Sequence, residues 1–478
     1  MASGTVSTGK GGDRGSNRGK LRLETSTNPD ESGLGTPRGL AQTLRALRHR
    51  NYRLFFFGQG VSVIGTWMQG VTLGWLVYVI TASPAWLGIV GFASQALTFV
   101  LSPFAGVLAD RLNRHRLIMI TQTLAMIQAA ILAALTLTGV IQVWHILVLG
   151  VALGVISAFD IPIRQSFVVE MVGRREDLPN AIALNSFVVN GGRIIGPSIA
   201  GVLIAALSGY DPEALQSAGG AASKGARHLG EGVCFLLNAV SYLAVLVALR
   251  AMRVAPRVNN QPRRHVLHEL HEGFKYAFGF APIRTVLLLV GLISIVGAAY
   301  SVLLPVYTRE QLGGHARTYG FLMSAGGAGA MVGALFLASR RSVVGLGRVM
   351  AIGSALFGLT LIGLSLSRVL GLSTALLVLT GFGFMIQMAS GNTILQTIVD
   401  DDKRGRIMSF YVIAFMGMAP FGSLIGGLAA EAFGVPCVLI VGGVCSLLGA
   451  VAFALRLPAM RRMVRPIYVK MGLLPTDQ

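Results

Sequence analysis

Twelve long apolar runs, each of 18 to 27 residues, are the feature that most limits how this chain can fold. A helix needs about 20 residues to cross the hydrocarbon of a bilayer. In lipid every backbone polar group must find an internal partner, so such runs have to be helices. Only 13% of the residues are charged, against about 25% in a typical soluble protein. The sequence therefore predicts an all-α polytopic membrane protein.

The predicted spans fall into two groups of six. They are 54–80, 85–109, 117–138, 144–168, 181–207, 232–249, 285–307, 318–338, 349–366, 372–398, 407–430 and 435–455. The halves share weak similarity, because LADR at 108–111 resembles LASR at 337–340, and GPSIAG at 196–201 resembles GSLIGG at 422–427. These offsets of 229 and 226 residues indicate a parallel internal repeat, in which two six-helix halves move around a central site.

Basic residues are distributed unequally between the two sides of the membrane. With both termini inside, the outside connections hold five Lys and Arg residues, and the inside connections hold 27 close to the spans. This excess predicts a multi-pass protein of a bacterial cytoplasmic (inner) membrane, with both termini in the cytoplasm. The net charge of +20 therefore reflects topology, and the expected partner is the lipid bilayer rather than nucleic acid.

The polar segments outside the spans complete the expected organisation. Residues 1–44 are too poor in apolar side chains to fold alone and are predicted to form a disordered cytoplasmic tail, with a tether to anionic lipid as the alternative. An N-terminal half at 45–249 follows. The cytoplasmic connector at 250–284 contains HVLHELHEGFKYAF, which is typical of an amphipathic helix on a membrane surface. A C-terminal half at 285–456 and a cytoplasmic tail at 457–478 end the chain.

Clusters of metal-binding or catalytic side chains are sparse in this sequence. His265, His268 and His271 recur every three residues, a spacing that drifts around a helix, so no metal site is expected. The spans carry no clustered acid and base residues, which argues against a membrane enzyme. No ATP-binding signature is found, so no cofactor is expected and an ion gradient is the expected energy source.

Two motifs carry a resemblance to a known family. GVLADRLNRHR, which begins at Gly106, fits the signature between the second and third helices of the major facilitator superfamily, with Asn113 where Gly is usual. GRIIGPSIAG at 192–201 fits the fifth-helix signature, with Ala200 in place of one Gly. The chain thus resembles a major facilitator superfamily transporter over residues 51–456. The resemblance implies the major facilitator fold.

Two longer segments, NYRLFFFGQGVSVIGTWMQGVTLGWLVY and IPIRQSFVVEMVGRREDLPNAIALNS, resemble one branch of that superfamily. This branch contains the enterobactin exporter and the transmembrane secretion effectors. The fifth-helix signature is associated in the superfamily with antiporting exporters. The resemblance implies a monomeric secondary transporter that exports an amphiphilic organic solute, such as a drug, siderophore or metabolite, in exchange for protons. Uptake by the same fold is the alternative, and a non-transporting sensor or scaffold is a further one.

The charged motif between the second and third spans predicts a cytoplasmic gate. Asp110 ends the second helix, and Gly106, one turn earlier, permits a close approach by a neighbouring helix. The eleventh helix begins at the same face, near Ile407, with a partial positive charge at its N-terminus. Asp110 is therefore predicted to hold the two halves together there. The resemblance implies the same pairing in the outward-open state.

Four further charged residues are expected at this gate. Arg111 and Arg114 are predicted to meet an acidic group of the fourth helix, Asp160 or Glu170. Asp160 and Arg164 are spaced i,i+4 and can pair on one helix face. The alternatives are ordinary positive-inside anchors and a structural salt bridge. Asp160 is also the only carboxylate predicted inside a span away from its ends, which makes it the candidate for proton coupling.

The fifth span is predicted to bend at Gly196 and Pro197. Proline lacks a backbone N–H, and its ring crowds the carbonyl of Arg193 one turn earlier. Gly192, Gly196 and Gly201 leave a smooth surface for close helix contact.

The substrate cavity is predicted between the first and fifth spans. Arg193 lies about 20 Å into the fifth span, where a charged side chain requires a cavity or a partner. Gln59, Ser62, Thr66 and Gln69 in the first span fall within about 80° of one another on a helix. They are expected either to line the cavity or to join helices by hydrogen bonds.

Overall fold

The computed structural model describes residues 44–111, 113–172, 175–208, 227–252, 276–340, 342–473 and 475. Within these ranges the chain forms twelve helices that are long and apolar enough to cross a membrane, and it contains no strand. The predicted fold class is confirmed. The predicted tail up to residue 43 and most of the amphipathic pattern of the connector, with its three histidines, lie outside the described residues.

The helices follow the predicted order. The N-terminal half contains α1 (Arg50–Thr81), α2 (Pro84–Arg111), α3 (Arg114–Leu137), α4 (Val143–Met171), α5 (Leu178–Leu207) and α6 (Leu229–Arg250). The C-terminal half contains α7 (Ala281–Val306, extended by a π-helical turn at Tyr307–Gln311), α8 (Ala316–Ala338), α9 (Leu346–Leu366), α10 (Leu370–Ile398), α11 (Asp401–Val412 and Ala419–Phe433, joined through a π-helical turn at Ile413–Gly417) and α12 (Val435–Lys470).

The last helix is longer than the sequence predicts. Hydropathy ends the twelfth span at 455 because Arg456 and Arg461 follow, but α12 continues as a helix to Lys470. Met460 and Val464, one turn apart, are buried in the core and hold this extension against the bundle. Much of the segment expected to be a tail is therefore helical.

The packing of the helices repeats between the halves. In the first half α1 packs on α5 and α6, and in the second half α7 packs on α11 and α12. The pairs α2–α4, α3–α4 and α3–α6 have the counterparts α8–α10, α9–α10 and α9–α12. Each half is thus one copy of the same six-helix arrangement, as the internal sequence repeat predicts.

The two halves meet along two seams, α2 against α11 and α5 against α8. Glycines bring the backbones into direct contact at both. A Cβ at Gly88 would lie 2.7 Å from the carbonyl oxygen of Ser423, and one at Gly320 would overlap the carbonyl oxygen of Pro197. Helix pairs that touch backbone to backbone can slide or tilt against each other without interlocking side chains.

A short 3₁₀ turn at Arg45–Arg48 ties the start of α1 to the start of α5. The backbone N–H of Ala46 donates to Asn180 Oδ1 (2.9 Å), and the His49 imidazole donates to Asp177 Oδ2 (2.8 Å). The hydrogen bond from His49, helped by the charge of Arg45, holds the pKa of Asp177 below its usual value. The chain is therefore anchored to the N-terminal half before it enters the first span.

Candidate functional site

A cleft between α5 of the N-terminal half and α8 of the C-terminal half opens at one end of the bundle. We call this end the basic end, because α1 begins and α2 ends there beside Arg114, Arg116 and Arg340, and we call the other the opposite end. Along α5 and α8 the faces that touch near the opposite end continue toward the basic end as exposed surface. Phe187 of α5 is 64% exposed and Leu335 of α8 is 62% exposed. The two helices therefore diverge toward the basic end.

The middle of the α5–α8 seam is closed by serine hydroxyls. Ser324 of α8 donates to the carbonyl oxygen of Ile194 (2.7 Å) and shares a hydrogen bond with Ser198 of α5 (2.7 Å). These contacts mark the closed end of the cleft.

The opposite end is closed by two carboxylates of the C-terminal half. Glu310 accepts a hydrogen bond from the Tyr78 hydroxyl of α1 (2.8 Å). Glu431 accepts from the Ser83 hydroxyl (2.8 Å) and from the backbone N–H of Ala85 (3.1 Å). Glu431, near the end of α11, thus satisfies a free N–H at the start of α2, where the helix dipole favours a negative charge.

Asp160 lies in a buried polar cluster between α3 and α4. Its Oδ1 accepts from the Thr121 hydroxyl (2.9 Å) and from the Gln122 amide (2.7 Å), and its Oδ2 lies 3.3 Å from Nη2 of Arg164. Asp160 is only 7% exposed, so these partners offset the cost of burying its charge. The structure brings Asp160 and Arg164 together as their spacing predicts, and adds two partners from α3.

The other charged pair of the predicted gate also lies within the N-terminal half. Arg114 at the start of α3 pairs with Glu170 near the end of α4, at 2.8 Å between Nη1 and Oε1. The backbone of α2 is helical through Arg111, but the side chains of Asp110 and Arg111 and the surroundings of Gly106 lie outside the described residues. The contact between the halves at Asp110 stays a prediction.

The substitution Asp110→Asn is expected to reduce transport by about tenfold without preventing membrane insertion. The change preserves shape but removes the charge predicted to meet the positive N-terminus of α11. The measurement is the initial rate of solute counterflow, normalised to the protein recovered in the membrane. Arg116→Gln is the matched control, because Arg116 is an exposed anchor at the same end. Normal transport by Asp110→Asn would show that this residue is not a gate.

The glycines of α5 lie at its two principal contacts. Gly192 and Gly196 pack against α1, and Gly201 packs against Gly320 of α8. Pro197 is inside a helix that remains continuous from Leu178–Leu207. The close contacts that the sequence predicts are present, while the bend itself stays a prediction.

The substitution Gly196→Leu is expected to impair transport severely. A Cβ at this position would lie 2.7 Å from both the carbonyl oxygen of Ile64 and Cβ of Trp67, so α1 and α5 would have to separate. Gly191→Leu is the control on the same helix, because a Cβ there meets nothing within 4 Å. The two variants are compared by counterflow after equal membrane recovery. Full activity of Gly196→Leu would contradict the role of this contact.

Three of the four residues predicted to line the cavity from α1 are buried. Gln69 accepts from the Asn238 amide (2.6 Å) and donates to Gln128 (3.2 Å), which joins α1 to α6 and α3. Gln59 and Ser62 are also buried. The face of α1 that carries them packs on other helices of its own half, so of this group Thr66 alone is exposed. Gln69 therefore joins helices by hydrogen bonds, which is the alternative interpretation of this group of residues.

Arg193 lies at the closed end of the cleft. It is partly exposed on the face of α5 between its contacts with α1 and α8, and its guanidinium lies 5.5 Å from the centroid of the Trp67 ring. A Cβ at Gly327 of α8 would lie 2.9 Å from the Arg193 carbonyl oxygen, across the boundary between the halves. The structure therefore places the predicted cavity residue where the two halves meet.

Four aromatic rings of the C-terminal half pack against one another in a row. Tyr300 contacts Phe357 (5.9 Å between centroids), Phe357 contacts Phe384 (5.7 Å), and Phe384 contacts Phe415 (6.4 Å). Phe357 is fully buried, whereas Tyr300, Phe384 and Phe415 are partly exposed.

Sequence reasoning missed three carboxylates. Glu310 and Glu431 each join the two halves, but they follow the predicted spans by only a few residues and look like ordinary helix ends. Glu231 was placed one residue outside the sixth span, whereas it is fully buried in α6 and accepts from the Ser208 hydroxyl (2.6 Å). A polar residue just past a hydropathy boundary was the available signal.

Known proteins are similar to this chain in sequence and in fold. The chain matches the family described as transmembrane secretion effector over residues 41–467. It is 26% identical to the staphyloferrin A transporter of Staphylococcus aureus over 83% of this chain and 93% of that one. It is 24% identical to the multidrug efflux pump Tap of Mycolicibacterium fortuitum (86% and 96%) and 27% identical to the enterobactin exporter EntS of Escherichia coli (80% and 86%).

Solved transporters have the same architecture. A bacterial homolog of the lysosomal transporter Spinster, in an inward-facing conformation, superposes with a TM-score of 0.60 at 16% identity and covers 88% of this chain and 98% of that one. A POT family transporter gives 0.65 at 14% identity (86% and 96%). The chain is therefore a multi-pass membrane transporter and not an enzyme. With two repeated six-helix halves and a family match over nearly its whole length, it belongs to the transmembrane secretion effectors of the major facilitator superfamily.

Proposed function

We propose that this protein exports an amphiphilic organic solute, a siderophore or a drug, by alternating access in exchange for protons. The observation that carries the proposal is the cleft between α5 and α8, which widens toward the basic end, while two seams and two carboxylates join the halves toward the opposite end. With the basic end in the cytoplasm, as the distribution of Lys and Arg predicts, this is the state that loads solute from inside. The siderophore and drug relatives support the solute class.

Alternation between two open states fits the geometry of the α2–α11 seam. The helices α2 and α11 run antiparallel, so the N-terminus of each lies beside the C-terminus of the other. Glu431 near the end of α11 meets the start of α2 in this state. Asp110 at the end of α2 is predicted to meet the start of α11 in the other state. A tilt that forms one contact separates the other, which would allow only one end to open at a time.

Proton exchange is proposed at Asp160. Its carboxylate is buried beside Arg164, and a conformational cycle that moves the two apart would accompany the uptake of a proton. The energy source would be the proton gradient, and the transporter would act as a monomer with no cofactor.

Counterflow in proteoliposomes tests the proposal. The solute panel contains enterobactin, staphyloferrin A and a cationic amphiphilic drug, each assayed at equal pH and under imposed pH differences of both signs. An antiporter accumulates solute in vesicles with an acidic lumen. Accumulation that instead requires an acidic exterior would show proton-coupled uptake. Absence of exchange for every solute would contradict the export of this solute class.

A further inference from the structure

Arg193 carries the one interior charge of α5, and no acidic side chain in the described part of the chain forms an ion pair with it. Among the described residues, the guanidinium makes a single contact of charge type, with the ring of Trp67. Two other arginines of the same half do have acidic partners, since Arg164 lies beside Asp160 and Arg114 beside Glu170. A cation near the middle of a span is costly unless it meets an anion, a dipole or water.

The surroundings of Arg193 leave its charge available to the cleft. The Trp67 ring covers one side of the guanidinium and stabilises it in part. The side chain is nevertheless partly exposed, on the face of α5 that lies between the contacts with α1 and α8. A guanidinium presents several N–H donors in a planar fork that matches a carboxylate or another oxyanion.

We propose that Arg193 binds an anionic oxygen group of the transported solute, a carboxylate or an ionised phenol. The apolar or aromatic body of the solute then lies against the exposed apolar side chains of the cleft, Phe187 of α5 and Leu335 of α8. This inference rests on the proposed export function and narrows its solute class to organic anions. A cationic amphiphile would meet repulsion at the same place.

The position of Arg193 also connects the bound anion to the α5–α8 seam. A Cβ at Gly327 of α8 would lie 2.9 Å from the carbonyl oxygen of Arg193, so the backbone of this residue is part of the contact between the halves. Ser324, one turn earlier on α8, donates to the neighbouring carbonyl of Ile194. An anion bound to the Arg193 side chain pulls on a segment of α5. This is the segment that must separate from α8 for the opposite end to open.

Binding of two matched probes tests the inference. 2-Naphthoate and 2-naphthamide have the same ring system and nearly the same size, but only the first carries a negative charge at neutral pH. Affinities are measured by equilibrium dialysis on the full-length protein in lipid nanodiscs. The wild-type protein is expected to bind 2-naphthoate about tenfold more tightly than 2-naphthamide, because a charge-assisted hydrogen bond is added.

Three variants test whether Arg193 causes the preference for 2-naphthoate over 2-naphthamide. Arg193→Gln is expected to remove it while changing the affinity for 2-naphthamide by less than about twofold, and Arg193→Lys is expected to keep part of it. Arg317→Gln, which removes an exposed charge at the opposite end of α8, is expected to keep it in full. Equal binding of both probes by the wild type, no binding of either, or a preference that survives Arg193→Gln would overturn the inference.

Counterflow by the same preparations separates this inference from the export proposal. If the wild type exchanges an anionic solute and Arg193→Gln exchanges it equally fast, export stands and anion recognition fails. If no solute of the panel is exchanged, the export proposal itself fails, whatever the probes show.

Discussion

Gly320→Leu is expected to reduce solute counterflow by about tenfold to a hundredfold. Its Cβ would overlap the carbonyl oxygen of Pro197 and lie 2.9 Å from Cα of Gly201, so α8 would be pushed away from α5 near the opposite end. Overpacking of this kind costs about 1–3 kcal/mol, and here the cost falls on the state that is closed at that end. The variant would therefore occupy the other state and load solute poorly.

Two readouts distinguish this effect from misfolding. Gly371→Leu is the control, because Gly371 of α10 is exposed and a Cβ there meets nothing within 4 Å. In a cysteine-free background, Ser324→Cys should be protected from a membrane-impermeant maleimide, since Ser324 is buried in the seam. Adding Gly320→Leu should make that cysteine reactive from the opposite side. Full transport by Gly320→Leu would show that the seam does not need close contact.

Asp160→Asn is expected to abolish accumulation driven by a pH difference while solute exchange at equal pH continues. The amide keeps an oxygen that can accept from Thr121 or Gln122, but it cannot bind and release a proton in the physiological range and leaves Arg164 without its carboxylate. Accumulation under an imposed pH difference is compared with counterflow at equal pH. pH-driven accumulation should fall to the level of protein-free vesicles.

Glu176→Gln is the matched control for this prediction. Glu176 is a carboxylate of the same half at the same end of the bundle, but it is exposed and lies outside the spans. It should retain pH-driven accumulation. If Asp160→Asn still accumulates solute when only a pH difference drives it, Asp160 is not the coupling group. If both modes of transport fail, Asp160 belongs to the gate.

The sequence predicts features that depend on neighbouring residues of one helix. Hydropathy located all twelve spans because each must match the bilayer by itself. The i,i+4 spacing predicted the contact between Asp160 and Arg164 for the same reason. The extension of α12 was not predicted, because its charged residues lower the hydropathy. Its burial comes from contacts of Met460 and Val464 with the bundle, which hydropathy does not show.

Features that depend on which helices meet could not be predicted this way. The stripe on α1 was correctly assigned to one face, but periodicity does not say that this face meets α6 and α3 at Gln69 rather than the cleft. Glu431 and Ser83 are 348 residues apart in the chain, and their contact exists only because α2 and α11 form a seam. Whether the Arg193 charge has an acidic partner likewise depends on the positions of the surrounding helices, which the sequence does not give.

Distances between spin labels at the two ends of the bundle test alternating access most directly. One pair, at Thr138 and Arg368, spans the halves at the opposite end, and the other, at Arg116 and Ser339, spans them at the basic end; all four residues are exposed. Each pair is measured by pulsed electron paramagnetic resonance in a cysteine-free background with and without Gly320→Leu. The account predicts that Gly320→Leu lengthens the distance at the opposite end and shortens the distance at the basic end. If the opposite end opens while the basic end keeps its distance, or if neither distance changes, the two ends are not coupled and alternating access between these halves is contradicted.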